Sequence, residues 1–143
     1  MTGGIVLDTN VVSEPRRRRP DARVQAWFAA QDPGRLFVTA TVIGELAAGI
    51  AAMPRGRRRT AFEGWLRELV GSRFAGRMLA YDADAALVYG DLVAAARAQG
   101  RAAAIGDAQI AAVARREGMA VATRNVRDFE PLGVTVVDPW QFG

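Results

Sequence analysis

The 143-residue chain contains no cysteine and no histidine. Without cysteine there is no disulfide scaffold, no zinc–thiolate site and no thiol nucleophile. Without histidine there is no Ser-His-Asp triad, no imidazole base and no imidazole metal ligand. Lysine is missing too: all 19 basic residues are arginine. That excludes a P-loop lysine and a Schiff-base lysine. All-arginine usage beside abundant alanine and glycine fits a GC-rich coding bias. Any catalytic metal must therefore be held by oxygen, which points to Mg²⁺ or Mn²⁺. No apolar run approaches the roughly 18 residues of a membrane span. No basic segment leads into an apolar core at the N-terminus. The expectation is a cytoplasmic protein with no membrane partner.

What is present is an ordinary globular balance, with 50% apolar and 24% charged residues. A chain of this size buries roughly 68–70% of its unfolded surface, so one domain over residues 1–143 is expected. The formal net charge of +4 favours an acidic or polyanionic partner.

Gly4 to Leu7 is a short continuous apolar run, the pattern of a strand covered on both faces. Leu36 to Thr39, Met78 to Tyr81, Met119 to Thr123 and Val134 to Val137 read as further strands. Helices are predicted from about Ala22 to Gln31, Thr41 to Met53, Arg57 to Val70, Ala85 to Gln99 and Gly106 to Arg116. Asp21 caps the first of them, and Asp82 or Asp84 the fourth. Phe62, Trp65, Leu66 and Leu69 form an apolar stripe expected to face the core. Pro15 to Pro20 reads as a charged loop. Strands alternate with helices, so the fold class is α/β, with a mostly parallel central sheet flanked by helices as an α/β/α sandwich.

In such a sheet, ligands bind beyond the carboxyl ends of the strands. Asp8 ends the first strand there. Glu45 lies near the start of the helix after the second. Asp107 opens a later helix, and Asn125 and Asp128 follow the strand ending at Thr123. Each acid alone has an ordinary explanation: Asp107 as a helix N-cap, Glu45 as a dipole-favoured helix acid, Asp128 as a turn residue. Asp8 resists one, because a carboxylate adjoining a buried run is costly unless paired. Clustered carboxylates raise one another's pKa, and a divalent cation is the usual means of neutralising them.

The segments Ile5-Val6-Leu7-Asp8-Thr9-Asn10, Glu45, Gly106-Asp107-Ala108-Gln109-Ile110-Ala111, Ala122-Thr123-Arg124-Asn125-Val126-Arg127-Asp128-Phe129 and Val137-Asp138-Pro139-Trp140 occur in this order. Together they resemble the successive signatures of PIN-domain proteins, and above all the VapC-type toxin ribonucleases of toxin–antitoxin pairs. The resemblance covers nearly the whole chain and implies a single PIN domain. It implies a Mg²⁺- or Mn²⁺-dependent endoribonuclease that leaves 5′-phosphate and 3′-hydroxyl ends. Asp8, Glu45 and Asp107 would be its catalytic and metal-holding acids. The fourth family position falls on the neutral Asn125, with Asp128 nearby as a substitute. Thr9, Asn10 and Thr123 are candidates to orient the carboxylates. The resemblance also implies a homodimer and a VapB-like antitoxin that lays a segment across the acidic pocket.

Two arginine runs, Arg16-Arg17-Arg18-Arg19 and Arg57-Arg58-Arg59, together with Arg124, are candidate contacts to RNA phosphates. Two other readings stand beside the nuclease. One is a PIN-like scaffold that binds RNA or a partner without cutting it, which Asn125 favours. The other is a haloacid-dehalogenase-like phosphatase, which wants an acid two residues after the first and here meets Asn10.

Overall fold

The computed structural model describes residues 3–143. Strands β1 (Ile5–Leu7), β2 (Leu36–Thr39), β3 (Met78–Leu79), β4 (Ala120–Ala122) and β5 (Val136–Val137) form one sheet. Every neighbouring pair is parallel, and the order is β3-β2-β1-β4-β5. Strand β1 is central, and all its residues are buried, as its unbroken apolar run requires. Ile5 pairs with both Leu36 and Ala120, and Leu7 with Ala122. The chain builds outward from β1 through β2 to β3, then returns to lay β4 on the other side of β1. The order therefore reverses between β1 and β4, the point at whose carboxyl ends open parallel sheets place their ligands.

Among the described residues, seven helices connect the strands: α1 (Thr9–Ser13), α2 (Ala22–Ala30), α3 (Ala40–Ala51), α4 (Arg57–Glu68), α5 (Ala83–Ala98), α6 (Ile105–Glu117) and α7 (Val126–Phe129). Asp21 caps α2 by accepting from the Arg23 and Val24 amides, and Asp82 caps α5 by accepting from Ala85. Gly118 ends α6 at φ 67°, and the Met119 amide reaches back to the Ala114 carbonyl. The core gathers Leu7, Val38, Ile110, Val121 and Phe129, all fully buried.

Several boundaries differ from the sequence reading. Strand β2 spans Leu36–Thr39 as read, while β1, β3, β4 and β5 are two or three residues long, shorter than their predicted runs. Helix α3 starts at Ala40 rather than Thr41, because the Thr39 hydroxyl accepts from Val42 and caps it. Helix α4 stops at Glu68, where a π-turn over Leu69–Arg73 takes over, instead of running to Val70. The predicted charged loop from Pro15 to Pro20 begins inside a 3-10 turn over Glu14–Arg16. Of the expected apolar stripe only Leu69 is buried; Phe62, Trp65 and Leu66 are half-buried. Amphipathic spacing fixes a face, not the depth to which that face is covered.

Candidate metal centre

Asp8 is the residue at which β1 ends and α1 begins. Its amide still bonds the Ala122 carbonyl at 2.9 Å, so the strand holds it rigidly. Its Oδ1 accepts from the Thr9 amide at 2.8 Å, capping α1. Its Oδ2 accepts from the Thr123 hydroxyl at 2.7 Å, across the point where the strand order reverses. Asn10 Nδ2 lies 3.4 Å from the same oxygen, while Asn10 Oδ1 accepts from the Arg124 amide. Thr123 Oγ1 accepts in turn from the Asn125 amide at 2.9 Å. Asp8 is only 4% exposed. Burial raises its pKa, the bonds from Thr123 and Thr9 lower it, and the charges of Glu45 and Asp128 raise it again.

Glu45 stands in the second turn of α3, on the exposed side. Its Oε1 accepts from the Thr9 hydroxyl at 2.6 Å. Thr9 thus joins two acids, the first by its amide and the second by its side chain. Glu45 Oε2 lies against the first turn of α6: a Cβ built on Gly106 would stand 2.5 Å from it. Only glycine leaves that notch open. A second link between the same helices is the Thr41 hydroxyl donating to Gln109 Oε1 at 3.0 Å.

Asp107 is the third residue of α6 and does not cap it. The N-cap is Ala104, which offers no side-chain bond, so the capping explanation of Asp107 is wrong. Burial pushes its carboxyl up to about 6, and the charges of Asp8, Asp128 and Glu45 push in the same direction. Asp128 lies in the short helix α7 and is exposed, yet its charge bears on both Asp8 and Asp107. Asn125 precedes α7 without a side-chain cap and contributes no charge.

Four acids therefore share one field at the carboxyl edge. Among the described residues none of the four is ion-paired with an arginine; the ion pairs involve Glu14, Glu63, Asp82 and Glu117. Nor, among the described residues, do any three acids stand so that they could hold a metal ion by themselves. Unneutralised oxygen donors around a partly buried Asp suit a hard cation that keeps several of its waters and binds through one or two carboxylates. The donor set fits Mg²⁺ or Mn²⁺ in that manner.

The predicted arginines divide. Arg17 pairs with the buried Glu14 at 3.5 Å, and Arg59 with Glu63 at 3.4 Å. Arg124 lies over the Trp140 ring at 5.1 Å. Arg18, Arg19 and Arg57 are exposed. Arg16 and Arg58 both lie on Phe62. Sequence reasoning assigned no role to Gly106 or Gln109. The contacts of both cross between helices distant in the chain, which no local pattern records.

The PIN-domain family model matches residues 5–132. The VapC ribonuclease Y4jK of Sinorhizobium fredii is 44% identical over 137 residues, 96% of this chain and 98% of that protein. Toxin FitB of Neisseria gonorrhoeae is 35% identical over 95% of this chain and 98% of its own length. A crystal structure of FitAcB from Neisseria gonorrhoeae superposes with a TM-score of 0.91 at 34% identity, covering 96% of this chain and 99% of that one. The chain belongs to the PIN-domain family, among proteins of the VapC and FitB kind.

Proposed function

We propose that the chain is a divalent-metal-dependent endoribonuclease and the toxin of a VapBC-type toxin–antitoxin pair. The observation that carries the chemistry is the convergence of Asp8, Glu45, Asp107 and Asp128 without a cationic partner, with Asp107 raised to about 6. Asp8 and Asp107 would hold Mg²⁺ or Mn²⁺, with Asp128 rather than Asn125 supplying the further negative charge. When bound, the ion makes an attacking water more acidic and offsets charge on the phosphodiester. Glu45, fixed through Thr9, accepts the proton of that water. The new bond forms between the water oxygen and phosphorus, and the bond from phosphorus to the 3′ oxygen breaks, that oxygen taking up a proton from solvent. The products carry 5′-phosphate and 3′-hydroxyl ends. Thr9, Asn10 and Thr123 hold the carboxylates in place.

The toxin assignment is supported by the relatives named for ribonuclease and toxin activity. Its partners would be RNA, a VapB-like antitoxin and a second copy of the chain. Leu87 on α5, 73% exposed, offers apolar surface for a partner. Among the described residues no helix is long and apolar enough to cross a membrane. The cytoplasm would be the site of action. A PIN-like scaffold that does not cut is the reading favoured by the neutral Asn125 alone, and the charge of Asp128 in the same field counts against it. The phosphatase reading lacks its second acid at Asn10, whose side chain is engaged with Asp8 and Arg124.

The test is cleavage of RNA by purified protein with Mn²⁺, with fragment ends mapped. Cleavage leaving 5′-phosphates, and its loss in Asp107→Asn, is the expected result. Undiminished cleavage by Asp107→Asn would overturn the assignment.

A further inference from the structure

The two arginine runs, far apart in sequence, meet at one aromatic side chain. The Arg16 guanidinium lies 5.1 Å from the Phe62 ring centroid and 6.0 Å from that of Trp65. Arg58 lies 5.8 Å from the same Phe62 ring. Phe62 and Trp65 stand edge to face at 6.1 Å. Beside them is a hollow of about 520 Å³ whose lining includes Arg55, Arg57, Arg58 and Phe62 and no acid. The acids nearest in sequence are already occupied: Glu14 by Arg17, Glu63 by Arg59. Among the described residues, Arg16, Arg18, Arg19, Arg55, Arg57 and Arg58 have no ion-pair partner.

The position of this patch follows from the topology. Helices α1 and α3 leave adjacent strands at the same carboxyl edge, at Asp8 and Thr39. One arginine run lies just past the end of α1, and the other just past α3, at the start of α4. Along the helical segment from Asp8 to Arg16 the rise is roughly 12 Å. The patch is thus joined to the carboxyl edge by α1 on one side and by α3 on the other.

We infer that Arg16, Arg58 and Phe62 form the centre of a surface that holds the backbone of single-stranded RNA away from the phosphate being cut. The inference rests on the reading of RNA as substrate. A site of four carboxylates repels a polyanion, so the affinity for RNA must come from cations elsewhere on the approach. A guanidinium lying on an aromatic ring keeps its N–H edge free and oriented, and that edge matches a phosphate in two hydrogen bonds. Holding two guanidiniums against one ring lowers the entropy lost when they bind.

The experiment measures binding without chemistry. Asp8→Asn protein in EDTA is titrated with fluorescein-labelled single-stranded RNA at several salt concentrations. Arg16→Ala/Arg58→Ala in that background should bind at least about tenfold more weakly. It should also lower the slope of log K against log salt by about 1.4, two contacts at roughly 0.7 each. Phe62→Leu, which keeps both charges, should weaken binding severalfold and leave the slope nearly unchanged. Circular dichroism of each variant checks the fold. Affinity and slope unaffected by the arginine pair would overturn the inference. So would RNA binding that stays intact while binding of an acidic peptide falls, which would assign the patch to a protein partner. Because binding is read in EDTA, a failure here is distinct from a failure of metal-dependent cleavage by the unaltered chain.

Discussion

Gly106→Ala separates the placement of Glu45 from the stability of the fold. In an ordinary helix the change stabilises by about 0.5–1 kcal/mol. Here the new Cβ would stand 2.5 Å from Glu45 Oε2 and 3.4 Å from its Cδ. Non-bonded heavy atoms prefer about 3.5 Å or more, so the carboxylate must retreat by about 1 Å. Glu45 is exposed and at the end of a flexible side chain, so it moves and the backbone of α6 does not. The retreat breaks its 2.6 Å bond from Thr9. A misplacement of that size costs up to about 100-fold in rate. The expected result is a melting temperature equal to or slightly above that of the unaltered chain, with kcat/KM for RNA lowered about 10–100-fold. Glu45→Asp, one methylene shorter, should restore part of that loss when combined with Gly106→Ala, and should not raise activity when made alone. The assays are thermal melting in EDTA and initial rates with Mn²⁺. Full activity in Gly106→Ala would show that the notch is not needed. A large fall in melting temperature would show that Gly106 serves the backbone instead.

Three further outcomes follow from the same geometry. Asp107 has a raised carboxyl, so the folded state holds its proton more tightly than the unfolded chain, and its charge opposes folding increasingly as pH rises from about 4 to about 6. In EDTA, Asp107→Asn should therefore melt at an equal or higher temperature at pH 7 and show a smaller difference between pH 5 and pH 7; a large drop at pH 7 would refute the like-charge description. Thr123→Val removes the 2.7 Å bond to Asp8 and the acceptor of the Asn125 amide, both at a buried residue, and should destabilise by about 1–3 kcal/mol in denaturant melts, with Thr123→Ser milder. Asp128→Asn should weaken Mn²⁺ binding more than Asn125→Ala does in calorimetric titration, and the reverse order would return the fourth role to Asn125.

The central strand and its terminal acid were legible because the signal is local: a four-residue apolar run cannot end in a carboxylate without a partner. Asp21 and Asp82 were legible as caps for the same reason. Helix α1 was not, since Thr9–Ser13 is too short to display helical periodicity and is rich in β-branched residues. The start of α6 was read one residue late, at Gly106, because its true cap, Ala104, is chemically silent. Phe62 shows the limit of pattern reading. Its spacing placed it on the apolar face of α4, correctly, but its ring meets two arginines from separate segments rather than the core. The acids themselves were found by their positions after the predicted strands, and the absence of histidine and cysteine left oxygen as the donor for any metal. Their mutual geometry through Thr9, Thr123 and Gly106 required the fold.

The most direct measurement is calorimetric titration of Mn²⁺ into the unaltered chain and into Asp8→Asn and Asp107→Asn. A carboxylate metal centre predicts saturable binding by the unaltered chain at or below millimolar metal, and severe loss in both variants while each remains folded. Equal binding by all three proteins, or none by the unaltered chain, would contradict it.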